Sequence, residues 1–217
     1  MVSQGFQNNQ KEKEVASAAS LDFVIPYVHS GDGGEELRKA LSTLKNVGDW
    51  SGKVWIIGDY ESWFEDLEGL THLNCPPTGN KFVGIQEALL MACNHEDVSE
   101  RAYYSNDDIY INRPYASIPP LHMAWGDDYG ENSYGNTMTE TYRWLQTHGI
   151  EQPLNYEPHA PLPVVKNDLR EALKITLEHA KVRVPLQIRS VYGNLYNIGG
   201  EFFVDGKGKD GWPITSS

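Results

Sequence analysis

Apolar positions in this chain follow two rhythms. Short continuous runs, Leu21-Asp-Phe-Val-Ile-Pro-Tyr-Val28 and Val54-Trp-Ile-Ile-Gly58, read as buried strands, with Pro26 late enough to mark the end of the first. Between them Leu37, Ala40, Leu41 and Leu44 recur at helical spacing after a Gly31–Gly34 loop, and Glu35 and Glu36 place negative charge where a helix N-terminus favours it. Leu70 to Asn74 forms a weaker third strand, and Ile85, Ala88, Leu89 and Ala92 outline a second amphipathic helix before an aromatic run at Tyr103 and Tyr104. The order βαβ, β, αβ predicts an α/β fold with a mostly parallel central sheet and helices on both faces. Beyond a Gly-rich stretch, Thr137 to Thr147 reads as a helix and Leu154 to Glu157 as a short strand. Leu169, Ala172, Leu173, Thr176, Leu177 and Ala180 then share one helical face, and Val184 to Tyr192 reads as a closing strand.

At 217 residues the chain is long enough for one sizeable core, expected over residues 20–204, between a flexible N-terminal tail (1–19) and a C-terminal loop or tail (205–217). The net charge of −12 argues against a broad basic surface that tracks nucleic-acid backbone, so duplex DNA is not favoured as a bound partner. Cys75 and Cys93 show neither a zinc spacing nor a disulfide framework and read as reduced thiols. The first 19 residues lack the apolar core of a signal peptide, and no run reaches the length of a membrane span, so a cytoplasmic protein is expected.

The strongest chemical signal is Arg101-Ala-Tyr-Tyr-Ser-Asn-Asp-Asp-Ile-Tyr-Ile-Asn-Arg-Pro114, where an aromatic strand delivers Asp107 and Asp108 to its end. Adjacent carboxylates repel and lose hydration on burial, and a hard divalent cation, Mn²⁺ or Mg²⁺, would compensate both. The alternative is an Asn-Asp turn whose side chains serve backbone donors. Arg38, beside the Gly-rich loop, offers phosphate a fork of donors or else pairs with Glu35 or Glu36. Lys81 precedes a helix and would contact a diphosphate or stay a surface lysine. His159 sits in Asn155-Tyr-Glu-Pro-His-Ala-Pro-Leu-Pro163, and prolines on both sides stiffen an imidazole suited to act as a general base, with Glu157 as rival base or orienting group. Arg189 interrupts an apolar run and calls for a phosphate or Asp107 and Asp108 as partner. Asn194 reads as a turn residue and His122 as a loop histidine. Trp125, Tyr129, Tyr134, Tyr142 and Trp144 offer sugar-stacking surfaces or ordinary core residues.

Taken in order, Glu35-Glu-Leu-Arg38, Asn106-Asp-Asp108, His159-Ala-Pro161 and Arg189 resemble phage-encoded glycosyltransferase-like proteins, and look like a shortened form of the Stealth sugar-phosphate transferases. The resemblance implies a GT-A-like fold that takes a nucleotide-diphosphate sugar and transfers it, with metal, to a hydroxyl acceptor such as a DNA base, a virion protein or a glycan. It implies host cytoplasm as the location. The triplet carries Asn106 where the GT-A signature Asp-x-Asp has its first Asp, and Tyr27-Val-His29 stands where Stealth proteins carry a Trp-Val-Asp-like sequence. Transfer of sugar-1-phosphate is the alternative within enzymes. A non-catalytic carbohydrate- or protein-binding module is the alternative outside them.

Overall fold

A computed structural model, describing residues 20–29, 31–126 and 129–204, is built on a five-stranded sheet. Strand β1 (Leu21–Tyr27) lies at its centre. On one side follow β2 (Val54–Gly58) and β3 (Leu70–Asn74), and on the other β4 (Arg101–Tyr104) and β6 (Leu162–Val165). The first four strands are parallel, and β6 alone runs antiparallel at the edge beside β4. A separate two-stranded pair joins β5 (Leu121–His122) to β7 (Glu201–Phe202). The two tails expected at the chain ends lie outside the described residues.

Helices cover both faces, which is why β1 and β2 carry apolar runs without alternation. On one face Phe23, Ile25 and Tyr27 pack with Leu37 of helix α1 (Glu35–Thr43) and with Leu44 and Ile111. On the other, Val24, Trp55 and Ile57 meet Leu89 of α2 (Lys81–Asn94), Leu169 and Leu173 of α4 (Lys166–Ala180) and Tyr192 of α5 (Ile188–Leu195). Helix α3 (Ser133–Thr147) packs against α5. The expected α/β architecture is therefore present. One buried carboxylate is purely structural: Asp22, 2 % exposed, accepts from Lys53 N, Trp55 Nε1 and Ser99 N at 2.8–2.9 Å, stitching the amino end of the sheet.

Two expected strands are corrected. Val184 to Tyr192 is not a strand: residues 184–187 have no regular structure and α5 begins at Ile188, because Ile188, Val191, Tyr192 and Leu195 follow helical spacing once Pro185 is passed. Arg189 therefore sits on a helix. Leu154 to Glu157 is not a strand either: Asn155 makes one isolated bridge with Met123, and the sheet takes Leu162–Val165 instead. Pro163 lies within β6 and is tolerated there because β6 is an edge strand with one free side.

At the carboxyl end of β2, Gly58 has φ 138°, and a Cβ there would stand 1.9 Å from the carbonyl oxygen of Tyr27. Gly58→Ala is expected to destabilise the fold by about 3 kcal/mol or more, through combined strain and backbone collision. Chemical denaturation reads this directly. A loss under ~1 kcal/mol would show that the β1–β2 junction yields easily.

Candidate active site at the carboxyl end of the sheet

Open α/β sheets bind ligands beyond the carboxyl ends of their strands, and here those ends gather most of the chemistry. Pairing between β1 and β4 continues through Ser105 N donating to Val24 O (3.0 Å), whereas Tyr27 O accepts from Asp59 N on the β2 side (3.1 Å). Alternation along β1 then points the backbone of Pro26 towards β4, where a missing N–H ends the ladder. The chain after β4 leaves the sheet as a turn closed by Ile109 N on Asn106 O (3.4 Å), with Asp107 and Asp108 as its central residues. No second hairpin strand follows, and Ile109 and Ile111 are buried within an irregular segment.

The Asp107 carboxyl is pushed up from 3.8 to about 6, first by burial, then by Asp108 beside it, with Glu36 and Asp32 adding further negative potential. A hard divalent cation fits this pair, since it would remove both the desolvation cost and the repulsion. No cluster of three or more His, Cys, Asp or Glu arranged to hold a metal occurs among the described residues. A cation on Asp107 and Asp108 would thus draw its remaining oxygens from substrate phosphates and water, as Mg²⁺ commonly does.

Next to this turn the loops after β1 and β2 are tied together. Glu61 accepts the Tyr27 hydroxyl at 2.7 Å and meets His29 Nδ1 at 2.5 Å, while His29 N donates to Asp59 Oδ2 at 2.8 Å. The bond to Glu61 raises the imidazole pKa of His29 above its ordinary 6.5, helped by the charges of Glu61, Asp32 and Asp59. Bonds from Tyr27 and His29 hold Glu61 below its ordinary 4.5. The pair therefore supports the fold between these two limits, losing strength as pH falls through the lowered glutamate value or rises through the raised histidine one. Glu61→Gln is expected to return the His29 titration, followed by NMR, towards 6.5. An unchanged midpoint would detach His29 from Glu61.

Two cavities open along this edge. The first, about 310 Å³, is bounded by Tyr27 and Val28 after β1, Gly58 and Asp59 after β2, Cys75, Pro76 and Thr78 after β3, Lys81 and Ile85 of α2, and Asp107. The second, about 390 Å³, shares Lys81 and Ile85 with the first and adds Gln86, Tyr104, Asn106, Glu157, His159 and Arg189. Asn80 caps α2 by accepting from Phe82 N and Val83 N, so the positive end of that helix lies beside Lys81 between the cavities. Cys75 and Cys93 are free thiols, and burial pushes both above their ordinary range, Cys93 to about 12.

The structure thus brings Lys81, Glu157, His159 and Arg189 around one cavity and Asp107 with Lys81 around its neighbour, Asp108 following on the turn. Burial raises the Glu157 carboxyl above its usual range, against the opposing charge of Arg189 and the bonds from Ser190 N and Oγ, both 2.9 Å. Arg189 is 5 % exposed; its Nη2 donates to Ala160 O and its guanidinium lies 5.4 Å from the Tyr104 ring centre. Neither Asp107 nor Asp108 supplies those contacts. Arg38 is elsewhere: it lies over the Trp63 ring at 4.3 Å, pairs with Glu35 at 3.9 Å and borders a different cavity with Trp50 and Leu70. Asn194 is a helical residue that bonds both backbone groups of Leu154, through Nδ2 to the carbonyl (2.6 Å) and Oδ1 to the amide (2.8 Å). His122 packs edge-on to Tyr156 and Phe202. Trp125, Tyr129 and Tyr142 border a further cavity of about 560 Å³, apart from the catalytic candidates, while Trp144 stacks on His148.

Asp59, Glu61, Gln86 and Ser190 escaped the sequence reading. Asp59 had a readable signal, a carboxylate directly after a strand-ending glycine. So had Gln86, a polar residue on the same helical face as Leu89 and Cys93.

No family model matches the chain, and no curated protein matches it. Among solved structures it is similar to "PaToxG Glycosyltransferase", with 10% sequence identity and a TM-score of 0.44, over 82% of this chain and 69% of that chain. No helix among the described residues is long and apolar enough to cross a membrane.

Proposed function

We propose that the protein is a metal-dependent, GT-A-like glycosyltransferase that moves a sugar from a nucleotide-diphosphate sugar to a hydroxyl acceptor. The observation that supports this reading is the pair of adjoining cavities that share Lys81 and Ile85, one bordered by Asp107 and the other by His159. In this reading the nucleotide lies in the first cavity, with Pro76, Ile85 and Ile57 against the base and the Asp59 carboxylate accepting from hydroxyl or ring N–H groups. Its diphosphate reaches the junction, where Lys81 and the amino end of α2 meet its negative charge. Asp107 and Asp108 would hold Mn²⁺ or Mg²⁺ there, and the bound ion supplies further charge neutralisation to the departing diphosphate.

The acceptor hydroxyl enters from the second cavity. His159 takes its proton as the oxygen attacks the anomeric carbon, and the bond from that carbon to the diphosphate oxygen breaks with its electron pair leaving on the phosphate. Glu157, fixed by Ser190, contributes a carboxyl group to the same cavity as the imidazole. Arg189 and Gln86 line the same cavity and contact substrate. Arg38, seated on Trp63, takes no part. Product analysis tests the reading: release of a nucleoside diphosphate supports sugar transfer. A nucleoside monophosphate together with a new phosphodiester would assign sugar-1-phosphate transfer instead, and sugar binding with no nucleotide released would assign a binding module.

A further inference from the structure

Gln86 and Arg189, which border the second cavity, each carry a buried polar atom with no hydrogen-bond partner among the described residues: Gln86 Oε1 and Arg189 Nε. Their side chains belong to residues 1 % and 5 % exposed, so solvent does not substitute freely for a partner. The orientation of the Gln86 amide is set by its other end, since Nε2 donates to Leu186 O at 2.8 Å, which leaves Oε1 as the acceptor. The Arg189 plane is set likewise, by Nη2 on Ala160 O and by the Tyr104 ring. A buried polar group left without a partner keeps its desolvation cost uncompensated, and such groups are where a ligand gains specificity.

The two orphans have opposite hydrogen-bonding character. Arg189 Nε donates and Gln86 Oε1 accepts. A phosphate or carboxylate would satisfy the first and turn lone pairs towards the second, with the Glu157 carboxylate adding repulsion in the same cavity. A hydroxyl both accepts and donates, and a ring with neighbouring hydroxyls presents both roles at once. A cavity near 390 Å³ is within the usual size of a small-molecule site.

We infer that Gln86 and Arg189 form a hydroxyl-reading pair that receives a sugar ring, not a phosphate, in the second cavity. The inference rests on the transferase reading for the ring's part in the reaction, but not for its binding. Either the transferred sugar or a glycan acceptor supplies the same hydroxyl chemistry. Sites built to bond a hydroxyl reject analogues that lack it far more strongly than apolar pockets reject a missing methylene.

The test follows the side-chain carboxamide of Gln86 by NMR in the full chain, titrated with glucose, galactose, mannose and N-acetylglucosamine, each alone and as its UDP conjugate with Mg²⁺, and with inorganic phosphate and UDP as controls. At least one sugar is expected to shift the Gln86 carboxamide, whereas phosphate and UDP leave it in place. A shift with the free sugar assigns an acceptor ring, and a shift only with the conjugate assigns the donor's sugar. Gln86→Leu is expected to weaken that sugar at least tenfold, with the melting temperature changed by a few degrees only. Arg189→Lys, which keeps the charge and removes Nε, should weaken it similarly and provides the test should the leucine variant fail to fold. Phosphate shifting the carboxamide, no sugar shifting it in any form, or undiminished sugar binding in the folded variants would overturn the inference. Turnover of a UDP-sugar with Gln86 unaffected would remove this inference and leave the transferase standing. Sugar binding at Gln86 without transfer would do the reverse.

Discussion

His159→Ala is expected to lower turnover by roughly 10²–10⁴-fold while leaving affinity for the nucleotide-sugar nearly unchanged. The reason is positional. His159 borders the second cavity and is absent from the lining of the first, so its loss removes proton transfer in the transition state and no contact to the nucleotide. Glu157 is the competing base, yet its carboxyl is engaged by Ser190 and its charge is partly met by Arg189. Parallel loss of donor binding and turnover in His159→Ala, or normal turnover, would transfer the role to Glu157.

Asp107→Asn should act in opposite directions on activity and stability. Metal-stimulated transfer should be lost, because the substitution removes half of the carboxylate pair offered to the cation. The metal-free protein should become more stable at neutral pH, by up to ~3 kcal/mol, since ionising a carboxyl pushed up from 3.8 to about 6 costs the fold that difference. The sign follows from proton binding. Between about pH 4 and pH 6 the folded chain keeps the Asp107 proton that the unfolded chain has released, so this residue's contribution declines as pH rises through that window and then stays low. Denaturation of wild type and variant across pH 3–8 without metal should give curves that converge at the acid end. A variant less stable than wild type at pH 7 would make Asp107 a structural turn residue.

Much of the sheet was legible because its strands are buried on both faces and so interrupt the sequence as dense apolar runs. Helices α1, α2 and α4 announced themselves by spacing in the same way. What escaped depended on tertiary context. Pro163 argued against a strand at Leu162–Val165, and only its position at the edge of the sheet makes it acceptable. Val184-Pro-Leu-Gln-Ile188 looks extended, and Gln187 has extended dihedrals just before the helix starts, so the short helix after it was hidden by its own approach.

The site divides similarly. Asp107 and Asp108 stand out in the sequence as adjacent like charges at the end of an aromatic strand, and His159 as a proline-flanked imidazole outside any periodic face; the structure places Asp107 and His159 at adjoining cavities. Arg38 was misplaced because proximity to a Gly-rich loop in sequence says nothing about which side of the helix its guanidinium takes, and Trp63 lies on that side. Gln86 and Asp59 carry a local signal, but their partners lie far along the chain, Leu186 for the first and His29 for the second.

If Asp107 and Asp108 bring a divalent cation to a nucleotide-sugar at this sheet edge, donor binding should depend on that metal. Calorimetric titration of UDP-sugars and GDP-sugars into the full chain, with Mn²⁺ and then with EDTA, measures it most directly. At least one donor is expected to bind with Mn²⁺, weakened at least tenfold by EDTA and by Asp107→Asn alike. Donor binding that is indifferent to both, or absent under every condition while the protein remains folded, would contradict it.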